Sequence, residues 1–234
     1  MSGQLPLADD LWLSAHDTVN GRPRLGPRPL AIGLGAALLA ELMFWGNITL
    51  QRGYLFLRDT TDPQDPALQP VFHQFVEEQR VRQRPSPSGA EGHSALASGE
   101  SGQDVREWIA YLAADNRAYD LVVRRLSRAG LVEVHQRRTW SGKRAVFVPR
   151  DSNLAGWSAG RLRVLVQRRE RLDDTDLTLA GLFLATGLHQ QALFDFDADD
   201  FKELAEQLRT RMHVMLRELV HHAETAVGET VMIR

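Results

Sequence analysis

Residues Pro29–Trp45, PLAIGLGAALLAELMFW, decide the fold. The segment is apolar nearly all round and carries one charge, Glu41, so it predicts a buried central helix rather than an amphipathic surface helix. Pro29 suits the first helical position, where a missing N–H costs nothing. Gly33 and Gly35 read as close helix contacts. No strand precedes them, and Gly33–Leu38 (GLGAAL) lacks the third small residue that a dinucleotide pyrophosphate turn needs. The uncharged apolar run Pro29–Ala40 is shorter than the roughly 18 residues of a spanning helix, so the chain is not expected to cross a membrane.

Upstream, His16–Pro27 holds Gly21, Pro23, Gly26 and Pro27 and reads as loop. Leu7, Leu11 and Ser14 share a helical face before it, with Asp9 and Asp10 suited to a first turn. Downstream, Ile48–Leu50 and Tyr54–Leu57 read as a hairpin around Arg52–Gly53. Asp65–Pro66 caps a helix whose apolar stripe is Leu68, Val71, Phe72, Phe75 and Val76. Arg84–Gly102 is rich in Ser, Gly, Pro and Ala and cannot bury enough surface to offset its ordering entropy; it is expected to be a disordered insert. Val105–Ala114 and Arg117–Arg128 read as two helices broken at Asp115–Asn116. On the second, Val122, Leu126 and Ala129 form the buried side, and Arg117, Arg124 and Arg128 the opposite one. LVEVHQRR and KRAVFVP are strands joined at Thr139–Gly142, with Trp140 near the tip. Helical patterns over Asn153–Glu170, Leu177–Leu193 and Phe201–Ala226 follow, the last preceded by a capping box at Asp200 and Glu203. The expected fold is a single, mainly α domain spanning the chain, a helical core around a buried central helix, with two small β-hairpins.

The 234 residues are 43% hydrophobic and 25% charged, values of a globular protein. There is no cysteine, which excludes disulfides, thiolate metal sites and cysteine nucleophiles and fits a reducing cytoplasm. MSGQLPLADD shows no secretory signal. Lys143 and Lys202 are the only lysines, a hint of a GC-rich bacterial genome. The net charge of −2 hides a split: 15 Lys/Arg against 6 Asp/Glu over 106–171 (+9), and 1 against 9 over 172–206 (−8). Such a split suits an anionic partner on one face.

The eight histidines form no metal-ligand pattern. The acidic run Asp195–Glu206 has calcium-loop offsets, but Asp200 stands where the sharp turn needs glycine, so helix capping is the better account. No nucleophile elbow or phosphate-binding loop is present. No metal, cofactor or catalytic residue is expected, and nothing argues for an enzyme. A hairpin tip with Trp140 among Arg137, Arg138, Lys143 and Arg144 suits the edge of an anionic bilayer. At about 1 kcal/mol per cation it reaches only a millimolar-class association, so other groups must add to it.

LPLADDLWLSAHD (Leu5–Asp17) before a glycine-rich loop, GLGAALLAELMFWGNITL (Gly33–Leu50), RRLSRAGLVEV (Arg124–Val134) with its hairpin, and the helical second half together resemble the Golgi phosphoprotein 3 family in its shorter bacterial form, over about Leu5 to His213. The resemblance implies a central hydrophobic helix ringed by amphipathic ones. It also implies a peripheral membrane protein that reads phosphatidylinositol 4-phosphate and, in eukaryotes, adapts membrane enzymes for vesicle sorting. The family pocket's tryptophan falls on Leu25–Gly26, its helix cation on Gly35, and its two arginines on Asn116 and Tyr119, so that pocket is not reproduced residue for residue. Candidates for an anion site are instead Arg22, Arg24 and Arg28 from the opening loop, with Arg117 and Arg124. Arginine forks suit phosphate oxygens, and the following helix adds its dipole. The expected place is the cytoplasmic face of a membrane, with a protein partner or a homo-oligomer left open. Two rivals stand beside this reading. Val105–Pro149 also has the outline of a winged-helix DNA-binding module, with the hairpin as wing, although a slightly acidic chain makes nucleic acid the weaker partner. A protein-only adaptor would dock through the acidic half.

Overall fold

The computed structural model describes residues 5–83, 102–139 and 142–231, with positions 137–139, 142–144, 230 and 231 given by backbone alone. Its centre is the helix α2, Pro27–Phe44, preceded by α1, Leu7–Ser14. Fourteen of the 18 residues of α2 are buried, and the helix is ringed by α1 and by α3 (Leu68–Gln83), α4 (Val105–Ala113), α5 (Arg117–Arg128), α7 (Asp174–Thr186) and α10 (Val214–Val231). By length and composition α2 could cross a membrane, but here its apolar surface is spent on the core. Seven large side chains, Leu30, Ile32, Leu34, Leu38, Leu39, Leu42 and Met43, are buried on it. At about 1.5–3 kcal/mol each, their transfer stabilises the fold by roughly 10–20 kcal/mol before ordering entropy is subtracted.

The two helical glycines of α2 are contact points. A Cβ on Gly33 would lie 2.7 Å from Thr186 Cγ2 and 3.2 Å from Leu11 Cδ2; one on Gly35 would lie 3.0 Å from Leu112 Cβ. Gly33→Val should therefore overpack the α1–α2–α7 junction and destabilise by about 1–3 kcal/mol, read as a lower denaturant midpoint at unchanged slope. A midpoint equal to wild type would show that α7 can move away freely.

The first sheet is β1 (Ile48–Gln51), β2 (Tyr54–Leu57) and the two-residue β3 (Gln103–Asp104), antiparallel in that order. Arg52 and Gly53 both have positive φ (52° and 80°), as a two-residue hairpin turn of this hand requires. The second sheet pairs β4 (Val132–Thr139) with β5 (Gly142–Pro149), from Val132↔Pro149 to Thr139↔Gly142. The chain closes with α6 (Ser152–Gln167), α7, the short α8 (His189–Ala192), α9 (Ala198–Thr210) and α10.

Several expectations need correction. The proline at the first position of α2 is Pro27, with Gly26 as N-cap, so the helix starts two residues before Pro29. The sequence reading missed β3. Leu177–Leu193 is not one helix: Gly187, at φ 81°, ends α7 before α8 begins. The pattern Phe201–Ala226 is likewise two helices, α9 and α10, parted at Arg211–His213. The capping box lies three residues earlier than read, Asp197 accepting from the Asp200 N–H and Asp200 answering to the Asp197 N–H. Asp9 and Asp10 do sit in the first turn of α1, and they are buried there, whereas Ala129, expected on the buried side of α5, is exposed. Of the expected insert, 84–101 lie outside the described residues; Gly102 packs against Tyr54 and Phe56. Trp140 and the side chains of Arg137, Arg138, Lys143 and Arg144 also lie outside them.

Candidate anion-binding surface

The loop between α1 and α2 is tied down by its own polar groups. Asp17 Oδ1 accepts from the N–H groups of Val19 and Asn20, Asn20 Oδ1 accepts from Arg22 N–H, and the Arg24 N–H returns to Ala15 O. At the turn, Gly21 has φ +63° and faces β5, where a Cβ would clash with Phe147 O and lie 2.9 Å from Val148 Cγ2. Only glycine fits both the conformation and the approach. The loop is thereby seated on the hairpin strand at Val146, Phe147 and Val148, residues more than 100 positions away in sequence.

Arg22, Arg24 and Arg28 are exposed and make no ion pair among the described residues. Arg124 on α5 is in the same state. Arg117 is not. Its guanidinium lies 4.5 Å over the Tyr111 ring, donates to Tyr111 O (2.9 Å) and pairs with Asp115 (3.0 Å). Arg117 and Arg124 do share a pocket beside Pro70 and Leu121, but Asp115 and Asp120 line it too, so its field is mixed in sign. Arg24 lines a different cavity, against α6. Four of the five candidates thus face outward, Arg117 is tied to Tyr111 and Asp115, and the five do not form one pocket.

Two positions of the resembled family's pocket, Gly35 and Tyr119, are occupied by packing. Gly35 abuts Leu112, leaving no room for a long side chain. Tyr119 packs on Trp12 and His16, with ring centroids at 6.1 and 5.9 Å. Asn116 is exposed, at φ 59°. On α6 and just beyond its end the basic half meets the acidic half: Arg161 lies 2.5 Å from Asp176, Arg163 3.6 Å from Asp195, and Arg169 3.3 Å from Glu203. The charge split is therefore partly an internal match, while among the described residues the three loop arginines and Arg124 keep their charges outward and without an ion pair.

The sequence reading missed Arg125. It faces inward from α5, buried, with Nε donating to Asp9 (2.9 Å), Nη1 to Glu41 (2.7 Å) and Asp65 (3.0 Å), and Nη2 to Glu41 (3.0 Å). Glu41 also accepts from Ala8 N–H, and Asp65 caps the approach to α3 through the N–H groups of Ala67 and Leu68. One cation among three carboxylates ties α1, α2, α3 and α5 together. The signal was in the sequence: a lone charge in a helix that is apolar all round must have a buried partner.

Burial drives the titration of this interior. It raises Asp9 to about 7, despite the opposing pull of Arg125, and raises Asp10 and Asp176 to about 6. Burial alone would lower Arg125, but the charges and hydrogen bonds of Glu41, with Asp9 and Asp65, more than offset it and hold the group above its ordinary value. Burial pushes His16 down to about 4. A carboxyl whose folded pKa is raised contributes stability that is full below its unfolded value and is lost as pH rises through the folded one; His16, depressed, acts in the opposite sense. Three carboxyls outweigh one imidazole, so stability should fall by on the order of 2–3 kcal/mol from about pH 5 to about pH 8. Asp9→Asn should flatten that slope in denaturant melts across pH; an unchanged slope would remove Asp9 as its source.

The family model for Golgi phosphoprotein 3 (GPP34) matches residues 7–227. No curated protein sequence matches the chain.

Proposed function

Because the chain belongs to the Golgi phosphoprotein 3 family, we propose that it is a peripheral membrane protein that binds anionic phospholipid headgroups, of the phosphatidylinositol 4-phosphate kind, and serves as an adaptor at the cytoplasmic face of a membrane. What supports this most is the seating of the loop bearing Arg22, Arg24 and Arg28 on the hairpin that carries Arg137, Arg138, Lys143 and Arg144. Seven cations at about 1 kcal/mol each give roughly 7 kcal/mol, an association near 10 μM, against the millimolar class of the hairpin alone. That is enough for reversible attachment without a deep pocket.

The DNA-binding alternative is disfavoured by α5 itself. In a winged-helix reading α5 is the recognition helix, yet Arg125 points into the core and Asp120 stands among the outward residues, where it would repel phosphates. Two assays on the same preparation separate the readings: co-sedimentation with phosphatidylcholine vesicles with and without phosphatidylinositol 4-phosphate or cardiolipin, and gel shift on duplex DNA. Pelleting with the anionic vesicles alone, without a shift, is expected. A shift without pelleting would favour the DNA reading, and neither would favour a protein-only adaptor.

A further inference from the structure

Where α1 ends, a cavity of about 190 Å³ opens between its last turn, the loop and α6. Ser14, His16, Arg24, Gly156, Arg163 and Phe194 are among its lining residues. None of the positions that the resembled family uses for its headgroup lines it. Its volume is below the roughly 300–1,000 Å³ of drug-sized pockets but several times the ~30 Å³ of one water, the scale of a small polar molecule.

Its polar groups are unusual in being buried and unanswered. Ser14 Oγ and His16 Nε2 have no hydrogen-bond partner among the described residues, and both residues are almost wholly buried, at 3% and 1% exposure. His16 Nδ1 lies 2.7 Å from Trp12 O. A carbonyl oxygen can only accept, so Nδ1 carries the proton and Nε2 presents a lone pair. The ring is stacked on Trp12 at 3.7 Å, which fixes its orientation, and its depressed pKa keeps it neutral at neutral pH. Leaving such groups unpaired is costly, so the site calls for a hydrogen-bond donor, such as a hydroxyl. Arg24 and Arg163 stand beside them. Arg24 makes no ion pair among the described residues; Arg163 is stacked 4.9 Å over Phe194 with Asp195 at 3.6 Å, and its fork keeps further donors. Two guanidiniums next to a hydroxyl-seeking pair select a molecule that is anionic at one end and hydroxylated at the other.

We propose that this cavity binds a phosphorylated polyol, with phosphate oxygens on Arg24 and Arg163 and a hydroxyl donating to His16 Nε2 beside Ser14. The same chemistry is available from a phospholipid headgroup or from a free sugar or polyol phosphate. In the first case the inference rests on the lipid reading above and gives it a specific pocket, with exposed Phe194 at the rim against acyl chains.

The test uses the full chain with two soluble probes, inositol 1-phosphate and inorganic phosphate, followed by calorimetry and by the imidazole ¹⁵N resonances of His16. Inositol 1-phosphate should bind and shift the His16 Nε2 resonance, and inorganic phosphate should bind more weakly without shifting it. Gly156→Leu adds a bulky side chain at the cavity wall without a clash, since a Cβ there meets nothing within 4 Å, and replaces a glycine inside α6; it should abolish binding at unchanged or raised thermal stability. Arg24→Ala, on an exposed loop, should weaken binding about tenfold or more, the size of one charge-assisted hydrogen bond. Absence of inositol phosphate binding, an unmoved His16 signal at saturation, or full binding by Gly156→Leu would each overturn the proposal. Vesicles of phosphatidylcholine and phosphatidylserine, whose headgroup alcohols are not polyols, separate the two readings. Pelleting there without inositol phosphate binding sinks the cavity and spares the lipid reading. Inositol phosphate binding without pelleting on any anionic vesicle keeps the cavity, makes its ligand a free metabolite and sinks the lipid reading.

Discussion

Arg125→Met should destabilise the protein by about 3–5 kcal/mol, because removing one partner of a buried ionic network leaves the others as uncompensated charge. The side chain is 7% exposed and donates to Asp9, Glu41 and Asp65, which sit on or just before three different helices. Domains of this size are stable by only about 5–15 kcal/mol, so the variant should be near unfolding at neutral pH. The orphaned carboxyls can escape by protonation, so the loss should shrink as pH falls. Lysine is a poor substitute, since a point charge cannot reproduce the fork that reaches three carboxylates. A denaturant midpoint within about 1 kcal/mol of wild type would mean that water already reaches the cluster and screens it.

The second large effect concerns binding. Reversing Arg22, Arg24 and Arg28 together to glutamate replaces three attractions by three repulsions, about 2 kcal/mol each, or roughly 6 kcal/mol and four orders of magnitude in vesicle affinity. Their side chains are exposed and make no ion pair among the described residues, so folding should be unaffected and the loss attributable to the surface. The glutamine triple should lose about half as much, and raising the salt should mimic it. Binding of the glutamate triple at wild-type strength would detach the loop from the membrane reading altogether.

How far the sequence carried this can be seen at particular residues. The run Pro29–Trp45 announced the central helix, because an all-round apolar helix has nowhere to go but the core, and Gly33 and Gly35 behaved as close contacts. Errors came where two local signals fit equally well. Pro27 and Pro29 both satisfy a helix start, and Asp197–Asp200 and Asp200–Glu203 both satisfy a capping box. The break at Gly187 was hidden because a glycine inside an apolar pattern is usually tolerated, and Arg211–His213 carries no breaker at all. What local reading cannot reach is long-range pairing. Arg125 looked like one more cation on a basic helix, and its partners lie 60 to 116 positions away. In the same way nothing near Gly21 hints that it rests on Phe147. The family match over 7–227 agrees with the resemblance carried by the motifs, while the family's pocket positions hold Gly35, Asn116 and Tyr119 in this chain.

Backbone amide exchange of the intact chain, with and without phosphatidylinositol 4-phosphate vesicles, bears most directly on the proposal that the loop and hairpin form the membrane-facing surface. Slower exchange over residues 17–28 and along β4 and β5, with the acidic helix α9 unchanged, is the expected pattern. Exchange that is the same throughout, or protection confined to Ala198–Thr210, would contradict it.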